Sequence, residues 1–268
     1  MLGIRWARGF EPSARLREAQ PSSGNSPNMT NHGGPIMRSV VTQAIFWGTS
    51  WARYNGDKIT GLDSWYSGFG NSNYAKTSDE YTGSNGQVGP GTTYVGHVVD
   101  TSASSSGSKT SAILAEVCKA VPNPDPSGNG YYPVYADTPR HGSYCAYHSY
   151  GTCGGTRVQF AYFFSLDGDS GCDPQDTSTL HSQGLAALAN VSGHELSEAR
   201  TDPASPGAWY DSSGAENGDK CAWTFNVPLV DFSNGTRWKI QGEWSNAAYN
   251  ARTGYPNSSG QKGCIDGH

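Results

Sequence analysis

Leu180-His181-Ser182-Gln183-Gly184-Leu185-Ala186-Ala187-Leu188-Ala189-Asn190-Val191-Ser192-Gly193 runs directly into His194-Glu195-Leu196-Ser197-Glu198, and this stretch decides how the rest is read. Leu185, Leu188, Ala189, Ser192 and Leu196 recur at three- and four-residue spacing, the period of one helix face. Alanine and leucine dominate, and both are good helix formers. Ser178 and Thr179 offer N-cap hydroxyls. Pro203 supplies a stop, because a proline disfavours helix in the residue before it. The pattern predicts a helix over 179–200. Gly193 inside it costs about 1 kcal/mol relative to alanine, which implies a close approach by a packing neighbour.

Residues four apart on such a helix share a face. His194 and Glu198 can therefore hold one metal ion through an imidazole nitrogen and a carboxylate oxygen. Glu195 lies about 100° further round, where it can reach a metal-bound water without replacing it. This is the geometry of the HExxH metalloprotease helix with a glutamate in place of the second histidine. HExxE alone is the weaker motif, since glutamate is common on exposed helix faces. The downstream residues add to it: Thr201-Asp202-Pro203, Trp209-Tyr210-Asp211 and Glu216-Asn217-Gly218-Asp219-Lys220-Cys221. A catalytic zinc takes three protein ligands and keeps one position open. His194, Glu198 and Glu216 fill that requirement, with Asp202 and Asp219 as rivals or as partners that orient the ligands.

With 268 residues the chain suits one large domain or two small ones and can bury a real core. Its 35 glycines, 15 prolines and 15% charged residues point to a loop-rich, strand-containing protein rather than a helical bundle. The net charge of −5 gives no basic footprint, which argues against a nucleic-acid partner. The six cysteines, Cys118, Cys145, Cys153, Cys172, Cys221 and Cys264, form no CxxC pair. Their even count and wide spacing read as three disulfides in an oxidising compartment, with the connectivity left open. No apolar run is long enough to span a membrane. The N-terminus has arginines but lacks the apolar core of a secretory signal, so the chain is read as one that has lost its signal peptide.

Residues 1–27 are polar, follow neither period, and read as a disordered tail or propeptide remnant ahead of a single domain over 28–268. Val40–Trp47 and Thr92–Asp100 read as strands, and 109–121 as a helix ended by Pro122. The stretch 59–75 is ambiguous. Tyr131–Ala136 reads as a strand, and Arg157–Leu166 is the clearest strand in the chain. Between them, Cys145 and Cys153 could close a short loop around His148, which is then either a catalytic side chain or a loop histidine bonded to backbone. Asp167, Asp169, Asp173 and Asp176 could bind calcium, although their spacing is not that of an EF-hand and a solvated acidic loop is the simpler reading. Trp223–Val227 and Trp238–Ile240 have strand character.

Gly33-Gly34-Pro35-Ile36-Met37, Ile45-Phe46-Trp47-Gly48, Cys145-Ala146-Tyr147-His148, His194-Glu195-Leu196-Ser197-Glu198-Ala199, Thr201-Asp202-Pro203, Trp209-Tyr210 and Glu216-x-Gly218-Asp219-x-Cys221 follow in an order and spacing that resembles the phosphate-induced-protein/EXORDIUM family of secreted proteins, over about residues 33–264. Plant members are extracellular growth-associated proteins, and some have lost the His-Glu pair. Bacterial-type members that keep it look like zincin-fold metallopeptidases. The resemblance thus implies an α/β (α+β) zincin-like domain: a twisted mixed sheet including 158–165, packed on the HExxE helix, loop-rich and stapled by disulfides.

Two functions follow as expectations. The first is a secreted, monomeric metalloendopeptidase acting on protein or peptide substrates, with no nucleic-acid or membrane partner. One zinc ion is held by His194, Glu198 and Glu216, Glu195 is the general base, and His148 or Tyr210 stabilises the oxyanion. Two carboxylates and one imidazole cancel the charge of the ion, so its water is acidified less than at a two-histidine site, and manganese or calcium also suits so oxygen-rich a set. The second is a non-catalytic extracellular protein that binds cell-wall glycan or a receptor, with any ion structural.

Overall fold

Thr156–Ser165 is buried without interruption from Val158 to Phe164, the mark of a strand covered on both faces. It is the inner strand β6 of a six-stranded mixed sheet in the computed structural model, which describes residues 2–11 and 26–268. The other strands are β1 (Ile4–Trp6), β2 (Val40–Trp47), β3 (Thr92–Asp100), β4 (Gly130–Pro139) and β5 (Tyr144–Cys153). The order across the sheet is β1-β5-β6-β4-β2-β3. Strands β3, β2, β4 and β6 run parallel, whereas β5 lies antiparallel to β6 and β1 antiparallel to β5.

The two-residue period of β5 sorts its side chains between the faces. Tyr147 pairs with Tyr162 and shares its face, where the Tyr147 hydroxyl donates to Gly107 O and Gly151 packs on Leu114 of helix α2 (Thr110–Ala120). Ala146 and His148 face the other way, with Phe163. On that side Phe163 stacks on Tyr135, whose hydroxyl bonds Ser192 of helix α3 (Gln183–Thr201) at 2.7 Å and Tyr66 of helix α1 (Lys58–Phe69) at 2.8 Å. His148 is thereby aimed at α3.

Helix α3 begins later than the sequence implies. Ser182, not Ser178 or Thr179, is its N-cap: the Ser182 hydroxyl accepts from Leu185 N (3.2 Å) and donates to Asp57 (2.6 Å). From Gly184 to Thr201 every residue is buried, so this is a central helix rather than an amphipathic surface one. Gly193 does mark a close approach, since a Cβ there would lie 2.9 Å from the Tyr74 hydroxyl.

All six cysteines are paired, as Cys118–Cys153, Cys145–Cys172 and Cys221–Cys264. The Cys145–Cys153 loop that the sequence left possible does not form because both residues lie on β5, where eight residues at about 3.3 Å each hold them about 26 Å apart. Closing loops of 27, 35 and 43 residues, the bonds each contribute roughly 3–4 kcal/mol in the chain-entropy account. Such bonds persist in oxidising compartments. No helix among the described residues is long and apolar enough to cross a membrane.

Three further expectations change. Residues 2–11 are not a disordered tail, because Ile4–Trp6 pairs with β5; Met1 and residues 12–25 lie outside the described residues. Trp223–Val227 is turn and loop, and only Arg237–Trp238 of the next segment is strand. The aspartates after β6 are not simply solvated: Asp167 pairs with Lys58 (2.6 Å) and Asp169 with Arg140, and Asp176 lies 3.5 Å from His181.

Ser182→Ala should lower stability by about 1 kcal/mol, the usual cost of a lost cap. Ser178→Ala should change it by less than about 0.5 kcal/mol. Denaturant midpoints measure both, and equal effects would place the helix start elsewhere.

Candidate metal centre

Helix α3 brings His194, Glu195 and Glu198 into the interior with no exposed surface. A short helix, α4 (Asn217–Lys220), crosses its end, and Gly218 permits the contact: a Cβ there would sit 2.7 Å from His194 Nδ1 and 3.0 Å from Glu198 Oε1. The Asp219 amide donates to Glu198 Oε1 at 3.0 Å. Glu216 is the residue before α4 and forms a capping box with Asp219. The Cys221–Cys264 bond fixes the end of α4 to the C-terminal strand Lys262–Ile265.

Glu198 stands between two histidines. Its Oε1 is 3.1 Å from His194 Nε2, which lies 3.9 Å from Asp219 Oδ1. Its Oε2 is 3.7 Å from His148 Nε2, which lies 3.2 Å from Glu216 Oε2. Among the described residues, two sets of ligand atoms gather within 4.8 Å of one another: His194, Glu198 and Asp219, and His148, Glu195 and Glu198. The Gln241 amide bonds Gly218 O (2.8 Å) and lies 3.2 Å from His194 Nδ1, holding the ring in place.

His194 Nε2, both oxygens of Glu195, Glu198 Oε2 and Glu216 Oε1 are buried and have no hydrogen-bond partner. Buried lone pairs that meet no donor are costly and rare. Here they converge, and an imidazole nitrogen among carboxylate oxygens is a donor set that fits a divalent cation.

Electrostatics point the same way. Burial, with the charge of Arg5 adding to it, lowers the His194 pKa to about 3, and burial likewise lowers that of His148 to about 3. Both rings are neutral at pH 7, the state in which imidazole binds metal. Burial raises Glu198 to about 8. It holds Glu195 and Glu216 well above the usual carboxylate range, each raised further by neighbouring Glu198.

The structure thus brings six of the residues singled out in the sequence, His148, His194, Glu195, Glu198, Glu216 and Asp219, into one cluster, with a changed division of places. Asp219, rather than Glu216, groups with His194 and Glu198. His148 is a strand residue inside the cluster, not a loop histidine beside it. Asp202 ends α3, its Oδ1 accepts from Ala208 N at 2.6 Å, and its carboxyl lies against that of Glu216 at the edge of the cluster. Tyr210 stacks on His32 at 3.6 Å and lines a cavity of about 380 Å³ together with Asp202, Glu216 and Asp219. Arg5 and Gln241 carried no sequence signal, because each lies far along the chain in a segment without a motif.

The chain shows no match to any protein-family model, curated protein or solved structure with which it was compared.

A carboxyl whose pKa is raised by folding holds its proton longer in the folded state, so stability is lost as pH rises from the unfolded toward the folded value. The two depressed histidines act oppositely, but only between about 3 and 6.5. In chelator the melting temperature should therefore fall from pH 6.5 toward 8, where Glu198 gives up its proton among neighbouring carboxyls. Excess zinc should abolish that fall. Parallel melting curves with and without zinc would contradict a cation at this cluster.

Proposed function

We propose that the chain is a secreted, metal-dependent endopeptidase with a zincin-like arrangement of sheet and HExxE helix. The observation that supports this best is the convergence of unpartnered lone pairs from His194, Glu195, Glu198 and Glu216 beside a cavity. His194 and Glu198 hold the ion, with Asp219 or His148 completing the set. Zinc is the expected metal; manganese or calcium is the alternative at an oxygen-rich site. When bound, such an ion supplies Lewis acidity toward a peptide carbonyl and acidifies water.

The remaining chemistry belongs to the chain. Glu195, fully enclosed beside Glu198, is the carboxylate suited to take a proton from the attacking water and to return it to the leaving amine. Gln241 and the Gly218 carbonyl orient His194, as the outer partners of metal-ligating histidines do. Tyr210 lines the cavity and would steady a developing oxyanion. The three disulfides and the resemblance to the phosphate-induced-protein family both support an extracellular site of action. One observation favours the second reading, an extracellular binding protein with a structural ion: strand β1 covers the cluster.

Glu195→Gln should keep fold and metal while reducing peptide hydrolysis on the order of 10²-fold or more. His194→Ala and Glu198→Ala should lose the ion itself. Elemental analysis beside casein cleavage separates these outcomes. A Glu195→Gln variant as active as the parent would end the mechanism, and a metal-loaded parent inert toward every peptide would favour the binding protein.

A further inference from the structure

We propose that residues 2–8 form an autoinhibitory strap, a stretch of the chain's own backbone lying in the groove along β5 where a peptide would bind, with Gly3 placed over the buried carboxylates. The term autoinhibitory rests on the peptidase reading; the occupancy of the groove rests on geometry alone.

The strap is held as an added antiparallel strand. Leu2 N donates to His148 O (2.9 Å), His148 N donates to Gly3 O (3.2 Å), and Ala7 N donates to Ser143 O (3.0 Å). Ile4 pairs with Tyr147, and Arg5 with Ala146. Such backbone pairing with an exposed edge is a general mode of peptide capture, in which alternate side chains set specificity. Here the alternation turns Gly3 and Arg5 to the face that carries His148 and α3.

Only glycine fits at the first of these positions. A Cβ on Gly3 would overlap the Oε2 atoms of Glu198 and Glu216 and lie 2.7 Å from His148 Nε2. Arg5, two residues on, is buried with its guanidinium 3.8 Å from the Trp223 ring. Arg8 reaches the same ring at 4.4 Å, and the Trp223 indole donates to Trp6 O at 3.1 Å. Trp223 itself has a φ of 58°, a left-handed conformation that a tryptophan rarely adopts and that clusters at ligand clamps.

The strap is also built to leave. All three guanidinium nitrogens of Arg5 are buried without a hydrogen bond. A buried cation left so incompletely satisfied is costly even near carboxylates. The pairing itself spans only a three-residue strand. The cluster thus accepts a glycine-containing, basic peptide segment without holding it as tightly as a core strand.

The test inserts a site-specific protease sequence within residues 12–25 of the full-length protein and cuts it after folding. The released N-terminal fragment should separate on gel filtration with the circular dichroism of the main body unchanged. A synthetic peptide of residues 2–11 should rebind, followed by tryptophan fluorescence. The same peptide carrying Gly3→Leu should bind on the order of 100-fold more weakly, as overpacking at a rigid site requires. A fragment that stays bound, a body that unfolds when it leaves, or equal binding of both peptides would overturn the strap. Casein cleavage with zinc separates the two claims. Glycine-selective rebinding without any cleavage leaves the strap standing and removes the peptidase; cleavage at one rate before and after release does the reverse.

Discussion

The structure depends on carboxylates held out of water. Glu195 and Glu198 sit on a helix that is buried from Gly184 to Thr201, and Glu216 meets them from the residue before α4. Dehydrated carboxylates repel one another and raise one another's pKa, so folding around them requires protons or a cation. The surrounding architecture limits how far they can move apart. Gly218 lets α4 press on His194, the Asp219 amide fixes one oxygen of Glu198, and the Cys221–Cys264 bond anchors the end of α4.

A second buried polar group on the same helix shows the contrast. Arg200 donates to Ala75 O and Gly89 O, both at 2.8 Å, and nearby Glu243 accepts from the Tyr74 hydroxyl at 2.7 Å. There the protein supplies most of the partners itself, leaving Arg200 Nε and Glu243 Oε2 unpaired. Around Glu198 it supplies fewer, and lone pairs from several residues meet one another instead. Arg5 is a cation whose charge acts on the cluster, while its guanidinium makes no hydrogen bond there.

The sequence made the parallel strands legible because each is a run of β-branched and aromatic residues, and Val40–Trp47 and Thr92–Asp100 fall where the pattern puts them. It made the HExxE helix legible through its period, though the true N-cap lies at Ser182, where Asp57 from a distant segment decides the start. Strand β5 was hidden: Cys-Ala-Tyr-His-Ser-Tyr-Gly-Thr-Cys has no branched run, and its strand character comes from pairing with β6. With β5 missed, His148 could be named as a catalytic candidate but not told apart from a loop histidine bonded to backbone. The choice between Glu216 and Asp219 was equally beyond reach, because three residues of spacing do not reveal how a four-residue helix packs. Strand β1 was read as a tail because three residues are too few to show a period, and its partner β5 lies far along the chain.

The central claim is that a cation belongs between His194 and Glu198. The direct measurement is a crystal of the full chain soaked in zinc, with diffraction collected on both sides of the zinc absorption edge. The account predicts an anomalous peak about 2.0–2.2 Å from His194 Nε2 and a Glu198 oxygen. An ordered site with no peak, or a peak only at surface histidines, would contradict it.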